Sequence, residues 1–480
     1  MNLPGLLLIL IIHFVCGNGL IHLFGIRLSR ASNIALSFIC GVMIASFIPL
    51  LLQMLLIPIT ITSVSVALII SAVLLSIKRI KTIAKGSMNG YMRFSMQKSF
   101  YDWVIILTVI CLMVPSIWRC FYFPPFARDV LAGPETIAEY TVREHTMINS
   151  ILKLNLESTN NHFKPPYITG LQIVYKLLVQ PFGSLWLSVI ALSFLIFMYG
   201  ILREKLHSIL AGVLLILFIA IPDVYAYTYI ILFDYSNMVL FFIAIYFFSK
   251  YLTGSQRNNL FFSILLFGFA TFIRTDTLVL TYMFIPLFLF REYKLKTAKS
   301  LILKDTLAFL AIPFLFYFIW FDIFFKYYMP LGYNTANDIN KHLGDVGFFF
   351  ARMYDMVSGY LYSGDNINLY GYFINIFSLL FIADLLINRK LNQEAKIALY
   401  ALIVVFIGLP LLGYLLPLFD LANTTKRGIF KMFPIMLLLL GNNKLLINLS
   451  SKIYAWENNT KEAVPAIEHA KPKTGKRNRK

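Results

Sequence analysis

The chain has 480 residues, of which 59% are hydrophobic and only 14% are charged, and its formal net charge is +19. An ordinary soluble domain carries about 25% charged residues, so this composition excludes a soluble globular enzyme and indicates a protein that crosses a membrane several times. The positive charge does not indicate a nucleic-acid partner, because Lys and Arg fall in short clusters between hydrophobic runs, as they do in membrane proteins.

Hydrophobic runs long enough to cross a bilayer, about 17–25 residues each, predict an all-α polytopic bundle of about thirteen transmembrane helices. We place them near residues 3–24, 34–53, 57–77, 103–121, 184–202, 207–222, 235–251, 259–273, 277–290, 305–325, 369–387, 397–417 and 428–446. The run at 3–24 has no basic start and no small-residue cleavage site, so we interpret it as a retained span. The spans at 259–273 and 277–290 are short, which predicts half-helices or tilted helices.

The distribution of basic residues predicts the orientation. One set of alternate loops holds 29 of the 42 Lys and Arg residues, and cytoplasmic loops carry such an excess. The sequence therefore predicts a multi-pass protein of the cytoplasmic membrane with its N-terminus outside and its C-terminus inside. It divides the chain into N-terminal helices and a basic loop (1–102), a main transmembrane module (103–446) and a basic cytoplasmic tail (447–480).

Two long loops, 122–183 and 326–368, lie on the predicted external side. In the first, Gly133 and Pro134 mark the start of an amphipathic helix, since Pro is favoured in a first turn. A second segment, "ITGLQIVYKLLVQPFG", is mostly apolar but is interrupted by polar residues, so we do not count it as a span. We expect both to be interfacial helices.

Several nucleotide and hydrolase motifs are absent. The sequence contains neither G-x-x-x-x-G-K-[ST] nor G-x-G-x-x-G, and neither H-E-x-x-H nor G-x-S-x-G. It also lacks D-x-D, the usual metal–nucleotide clamp of enzymes that use nucleotide-sugars. A sugar donor, if there is one, is therefore not expected to be a cytoplasmic nucleotide.

Ionisable residues gather instead at the predicted external ends of the spans. Ionisable groups at membrane depth are costly, and by default they are functional candidates. Asp129 follows a span closely, Asp234 opens one, Arg274 joins the two short spans, and Lys426 and Arg427 precede the last span. Asp223 and Asp276 lie in the same predicted layer.

Four of these stretches resemble, in their order along residues 103–446, the GT-C superfamily of membrane glycosyltransferases, of the protein mannosyltransferase and aminoarabinose transferase type. "PPFARDVLAGPE" is similar to the family's loop acid and matches Asp129 to the catalytic acid. "FDYSNMVLFF", "FGFATFIRTDTLVL" and "KRGIFKMFPIMLLLL" resemble later stretches and match Asp234, Arg274 and Arg427. Many relatives show an adjacent Asp-Glu pair, whereas this chain has Arg128-Asp129, with Glu135 six residues on.

The resemblance implies a sugar transfer from a polyprenyl-phosphate carrier to an extracytoplasmic glycan, lipid or protein. Asp129, with Glu135 as a second catalytic candidate, would serve as general base. The candidates for binding the phosphate and the lipid-linked sugar are Arg128, Lys164, Asp234, Arg274, Lys426 and Arg427. A divalent metal stays open, with Glu139 and His145 as weak candidate ligands, and no other cofactor is expected. The partners are the lipid-linked donor and membrane lipids; the sugar, the acceptor and the oligomeric state are not predicted.

Two other functions remain alternatives. A polysaccharide polymerase or ligase also acts on lipid-linked sugars, but such proteins usually carry their largest loop late in the chain. A sugar or lipid transporter, such as a flippase, would place ionisable groups at mid-bilayer in symmetric halves.

Overall fold

Every secondary-structure element that the computed structural model describes is helical, as the sequence predicts. The described residues are 2–84, 99–153, 164–180, 183–326, 344–362, 364–416 and 424–463. The main helices are Leu3–Leu23, Arg30–Met54, Ile61–Ala84, Phe100–Tyr122, Thr136–Glu144, Tyr167–Leu178, Leu185–Arg203, Ser208–Ile219, Phe233–Gly254, Arg257–Ile273, Thr277–Tyr282, Ile285–Lys294, Lys299–Phe318, Val346–Met356, Phe373–Asn388, Gln393–Leu415, Met432–Gly441 and Lys444–Ala463. Much of the second predicted loop and the extreme basic tail lie outside the described residues.

Eight of the described helices are long and apolar enough to cross a membrane, and a ninth span results if the pair Lys426–Gly441 and Lys444–Glu457, bent by 54°, is counted as one. This confirms a multi-pass helical protein but not the predicted count of about thirteen. Three further predicted spans are shorter apolar helices of 10–17 residues. The predicted span 277–290 is divided into two short helices, and Pro286 lies in the first turn of the second, where its missing N–H costs nothing.

Local hydrogen bonds explain where several helices begin. The side chain of Asn2 accepts from the backbone N–H of Gly5, and Asn392 does the same for Ala395 at 2.7 Å. Asp345 accepts from the N–H of Phe348 at 3.1 Å. Such side chains satisfy backbone donors that have no partner within the helix.

Small residues set the closest helix contact, between Leu3–Leu23 and Arg30–Met54. A Cβ added at Gly41 would lie 1.8 Å from the carbonyl oxygen of His13, and one added at Gly17 would lie 1.8 Å from that of Ser37. Such backbone approach through small residues is typical of membrane helix pairs. The same two helices pack against others of the predicted main module, so the N-terminal helices share its core.

We therefore expect Gly41→Ala to destabilise the protein by about 1–3 kcal/mol, because the added methyl overpacks the contact between these two helices. Gly254→Ala is the matched control, since nothing lies within 4 Å of its added Cβ. Thermal unfolding in detergent measures the difference. Equal stability of the two variants would contradict this description of the helix contact.

Both predicted loop helices form. The first begins earlier than predicted: a helical turn over Arg128–Val130 and a wider π-helical turn over Leu131–Glu135 lead into Thr136–Glu144. The second, Tyr167–Leu178, is almost wholly buried and packs against Arg30–Met54 and Thr136–Glu144. It is therefore an integral part of the helix packing, and its position at the membrane interface stays a prediction.

Candidate functional site

The first part of the site is built by a helix hairpin. Phe233–Gly254 and Arg257–Ile273 pack side by side in opposite directions, so the start of the first helix lies beside the end of the second. Asp234 is in the opening turn of the first, and Arg274 directly follows the second. The Arg274 guanidinium donates to the carboxylate of Asp234, and its Nε donates to Oδ1 of Asp276 at 3.1 Å.

All three of these side chains are buried, with exposed fractions of 3% for Asp234, 9% for Arg274 and 7% for Asp276. A buried charge is tolerated only when it is paired, because removal from water costs several kcal/mol per ion. The trio therefore holds one cation between two carboxylates, and each depends on the others.

The start of the last predicted span and the residues just before it bring further cations to the same place. Nζ of Lys431 lies 3.9 Å from Oδ2 of Asp276, and Nζ of Lys426 lies 3.5 Å from Oδ2 of Asp223. Burial raises the pKa of Asp223 above its ordinary value, and the positive charge of Lys426 opposes that rise.

Asp129 reaches this group from the first loop. Its Oδ2 accepts a hydrogen bond of 3.2 Å from Nη1 of Arg427, a residue 298 positions later in the chain. The side chains of Asp129 and Arg427 are 38% and 23% exposed. The carboxylate is thus positioned by a charged hydrogen bond and still accessible to a ligand.

Lys164 comes from the same loop and sits between these pairs. Its Nζ lies 5.1 Å from the centre of the Phe233 ring, and it interacts electrostatically with Asp129, Asp234, Arg274 and Arg427. Burial lowers the pKa of Lys164 to about 8, and the positive charge of Arg274 adds to that effect. No described carboxylate lies within ion-pair distance of its amine.

We call these nine residues the charged cluster: Asp129, Lys164, Asp223, Asp234, Arg274, Asp276, Lys426, Arg427 and Lys431. Five are cations and four are carboxylates. An excess of positive charge with a guanidinium at its accessible side favours a phosphate ligand, whose oxygens match the planar fork of Arg.

Six of the predicted site residues are therefore brought together: Asp129, Lys164, Asp234, Arg274, Lys426 and Arg427. The other two are not part of the cluster. Arg128 is exposed and makes no ion pair with any described residue. Glu135 bonds elsewhere, since Oε1 lies 2.6 Å from Nζ of Lys176 and Oε2 accepts from Nε2 of Gln172 at 2.6 Å.

The predicted metal candidates also make other contacts. Glu139 pairs with Arg143 at 2.9 Å and with Lys176 at 3.1 Å. His145 has a left-handed backbone at the end of its helix, and its Nδ1 lies 3.2 Å from the carbonyl oxygen of Ile59. In the part of the chain that the structure describes, no three His, Cys, Asp or Glu side chains gather to hold a metal ion.

The sequence interpretation missed two members of this neighbourhood. Lys431 lies in an apolar run, yet it follows Arg427 by four residues, a spacing that predicts neighbouring side chains on a helix. Tyr227 packs edge-on against Phe430 at 4.8 Å and interacts electrostatically with Asp234 and Arg427. Its neighbours come from distant helices, so no local pattern pointed to it.

A second group of charges lies at the other end of the helices. Lys250 pairs with Glu204 at 2.9 Å and with Glu394 at 3.6 Å, and Lys205 pairs with Glu394. Asp234 and Lys250 are sixteen residues apart on one helix, which separates them by about 24 Å at 1.5 Å per residue. With two cations and two carboxylates, this second group has no charge excess to attract an anion.

Comparison of the chain with protein-family models, with curated proteins and with solved structures found no match. The functional argument therefore depends on the geometry of the charged cluster and on the sequence resemblance described above.

Proposed function

We propose that the protein is a membrane glycosyltransferase that moves a sugar from a polyprenyl-phosphate carrier to an extracytoplasmic acceptor. The observation that supports this best is the Asp129–Arg427 pair within a cation-rich cluster at the ends of apolar helices. A carboxylate able to act as a base and a guanidinium able to bind phosphate are thereby held 3.2 Å apart. This is the combination that transfer from a sugar phosphate requires.

In the proposed reaction, Arg427 and Lys164 bind the phosphate oxygens of the donor. The phosphate replaces Asp129 as the partner of Arg427, and the carboxylate then accepts the proton of the acceptor hydroxyl. The acceptor oxygen then forms a bond to the anomeric carbon while the bond from that carbon to the phosphate oxygen breaks. The electron pair leaves on the polyprenyl phosphate, and this single displacement inverts the anomeric configuration.

The buried trio of Asp234, Arg274 and Asp276 has a supporting role in this proposal. Arg274 is already shared by two carboxylates, so it is less able than Arg427 to bind a new anion. It fixes the hairpin end against which Phe233 and Lys164 are placed. No metal ion takes part in the reaction as written.

The proposed topology completes this assignment. About thirteen crossings, with the N-terminus outside and the basic tail in the cytoplasm, put the charged cluster on the extracytoplasmic side of a cytoplasmic membrane. The helices of the first loop then lie near the membrane surface, where a lipid-linked donor presents its phosphate.

Binding of polyprenyl phosphate to the purified chain tests the proposal. Arg427→Met is expected to weaken binding by about 10- to 100-fold, because a hydrogen bond to a charged group contributes about 1.5–3 kcal/mol. Arg143→Met is the matched control, since Arg143 is 66% exposed and lies outside the cluster. Native mass spectrometry measures both, and equal binding by the two variants would contradict the assignment.

Lys164 predicts a pH dependence of the same binding. Its ammonium is present below the pKa of about 8 and is lost as the pH rises through that value. Affinity for polyprenyl phosphate should therefore fall by up to about tenfold between pH 7 and pH 9, where about a tenth of the amines stay charged. In Lys164→Arg the charge persists at both values, so the dependence should become weaker. An identical pH profile in that variant would remove Lys164 from the phosphate site.

A further inference from the structure

A cavity of about 650 Å³ lies beside the first loop, separate from the contacts of the charged cluster. Ligand pockets in proteins measure about 300–1,000 Å³, so its size suits a small organic ligand. One wall is aromatic, formed by Phe121, Tyr122 and Phe123, and the polar side contains Glu135, Gln172 and Lys176. We call it the Glu135 cavity.

The polar side of the Glu135 cavity is fixed by a chain of hydrogen bonds. Nε1 of Trp186 donates to Oε1 of Gln172 at 2.7 Å, and Nε2 of Gln172 donates to Glu135 at 2.6 Å. An indole nitrogen can only donate, so the amide of Gln172 can have only this orientation. Gln172 and Trp186 are both essentially inaccessible to solvent, at 1% and 0% exposed. The carboxylate of Glu135 is therefore positioned before any ligand arrives.

This carboxylate and its lysine retain hydrogen-bonding capacity. Each oxygen of Glu135 accepts one of the bonds that the structure shows, and a carboxylate has about four acceptor sites. Nζ of Lys176 uses donors toward Glu135 and Glu139 and has three in all. Burial alone would lower the pKa of Lys176, but the bonds to Glu135 and Glu139 raise it, so the amine stays charged. Hydrogen-bond acceptors on Glu135 and a donor on Lys176 thus lie side by side.

The charge balance distinguishes this cavity from the charged cluster. Glu135 and Glu139 are matched by Lys176 and Arg143, so there is no excess of cations to select a phosphate. The lining also includes accessible rings, with Tyr122 66% and Phe123 43% exposed. A neutral sugar matches both properties of the cavity. Its adjacent hydroxyl groups donate and accept hydrogen bonds, and the C–H faces of its ring pack against aromatic side chains.

The Glu135 cavity also lies within reach of the proposed base. Pro125 lines it, and Asp129 follows four residues later. Four residues of chain span at most about 14 Å. Asp129 is therefore at most about that far from one residue of the lining.

We propose that the Glu135 cavity binds a neutral sugar residue of the acceptor, held by Glu135 and Lys176 and packed against Tyr122 and Phe123. This assignment rests on the proposed glycosyltransferase function and specifies its acceptor as a glycan or a glycosylated molecule. Glu135 is accordingly a substrate-binding residue and not a second catalytic base.

Saturation-transfer NMR on the full chain in nanodiscs tests this directly. The probes are methyl α-glucoside, methyl α-mannoside and N-acetylglucosamine at millimolar concentration. The wild type should receive saturation transfer to at least one probe, and Tyr122→Ala and Glu135→Gln should each weaken that binding by tenfold or more. Tyr293→Ala, at a residue 83% exposed and far from the cavity lining, is the matched control and should bind as the wild type does.

Asp129→Asn separates this inference from the proposed function. It should bind the sugar probe like the wild type, because Asp129 does not line the cavity, and yet release no polyprenyl phosphate from a lipid-linked sugar. Binding of no probe by the wild type, or undiminished binding by Tyr122→Ala, overturns the acceptor site and leaves the proposed transferase intact. If the wild type binds the sugar probe but releases no polyprenyl phosphate from a lipid-linked sugar, the sugar site is supported and the proposed transferase function is overturned.

Discussion

Asp129→Asn is expected to lower the rate of sugar transfer by about 10²–10⁴-fold, the usual contribution of a positioned general base. The amide has nearly the same shape as the carboxylate but cannot take the proton of the acceptor hydroxyl. Binding of polyprenyl phosphate should not weaken, because Arg427 loses a competing partner. The rate is measured as polyprenyl phosphate released from lipid-linked sugars extracted from the source membranes.

Asp355→Asn is the control for this experiment. Asp355 is exposed on the helix Val346–Met356 and makes no ion pair with a described residue. The Asp355→Asn variant should transfer sugar at the wild-type rate. A rate for Asp129→Asn within about threefold of the wild type, with both variants folded, would contradict the role of Asp129 as base, since a positioned base contributes far more than that.

Arg274→Gln is expected to have the largest effect on stability, with a loss of about 3–5 kcal/mol in the free energy of unfolding. The substitution leaves the buried carboxylates of Asp234 and Asp276 without their shared guanidinium. Thermal unfolding in detergent measures the loss. Arg143→Gln should change the stability by no more than about 1 kcal/mol, because its pair with Glu139 is exposed.

A double substitution checks the cause of that loss. Adding Asp234→Asn to Arg274→Gln removes one of the two stranded charges, so part of the stability should return, and the two effects should not add. Strict additivity, or an Arg274→Gln variant as stable as the wild type, would show that the buried trio does not hold the hairpin.

Local features of the sequence predicted the helical fold and six of the nine residues of the charged cluster. Asp234 and Arg274 lie at the ends of two consecutive apolar runs joined by a short turn, and consecutive antiparallel helices bring such ends together. The sequence also showed which charged residues lie at the ends of predicted spans, because ionisable residues are rare in this chain.

Long-range pairing could not be predicted in the same way. Asp129 and Arg427 are 298 residues apart, and nothing in either local stretch specifies the other. Only the resemblance to a known family placed them in one site. The partners of Glu135 are Gln172 and Lys176, which likewise lie 37 and 41 residues away on a helix whose packing no local pattern determines.

The number of spans was the least predictable feature of the fold. Hydropathy does not reveal helix length: the predicted span 207–222 contains the helix Ser208–Ile219, whose 12 residues are fewer than an ordinary transmembrane helix needs. Proline also divides runs that hydropathy joins. The run at 277–290 contains no charged residue, yet it forms two helices, and Pro286 lies in the first turn of the second.

The measurement that tests the central claim most directly is an experimental structure of the protein with polyprenyl phosphate bound. The proposed function predicts phosphate oxygens within hydrogen-bond distance of Arg427 and Lys164, with the hydrogen bond from Arg427 to Asp129 broken. The Asp129 carboxylate should then face the space that the acceptor hydroxyl would occupy. A phosphate bound instead beside Lys205 and Lys250, about 24 Å away along the helices, with the Asp129–Arg427 bond unchanged, would contradict it.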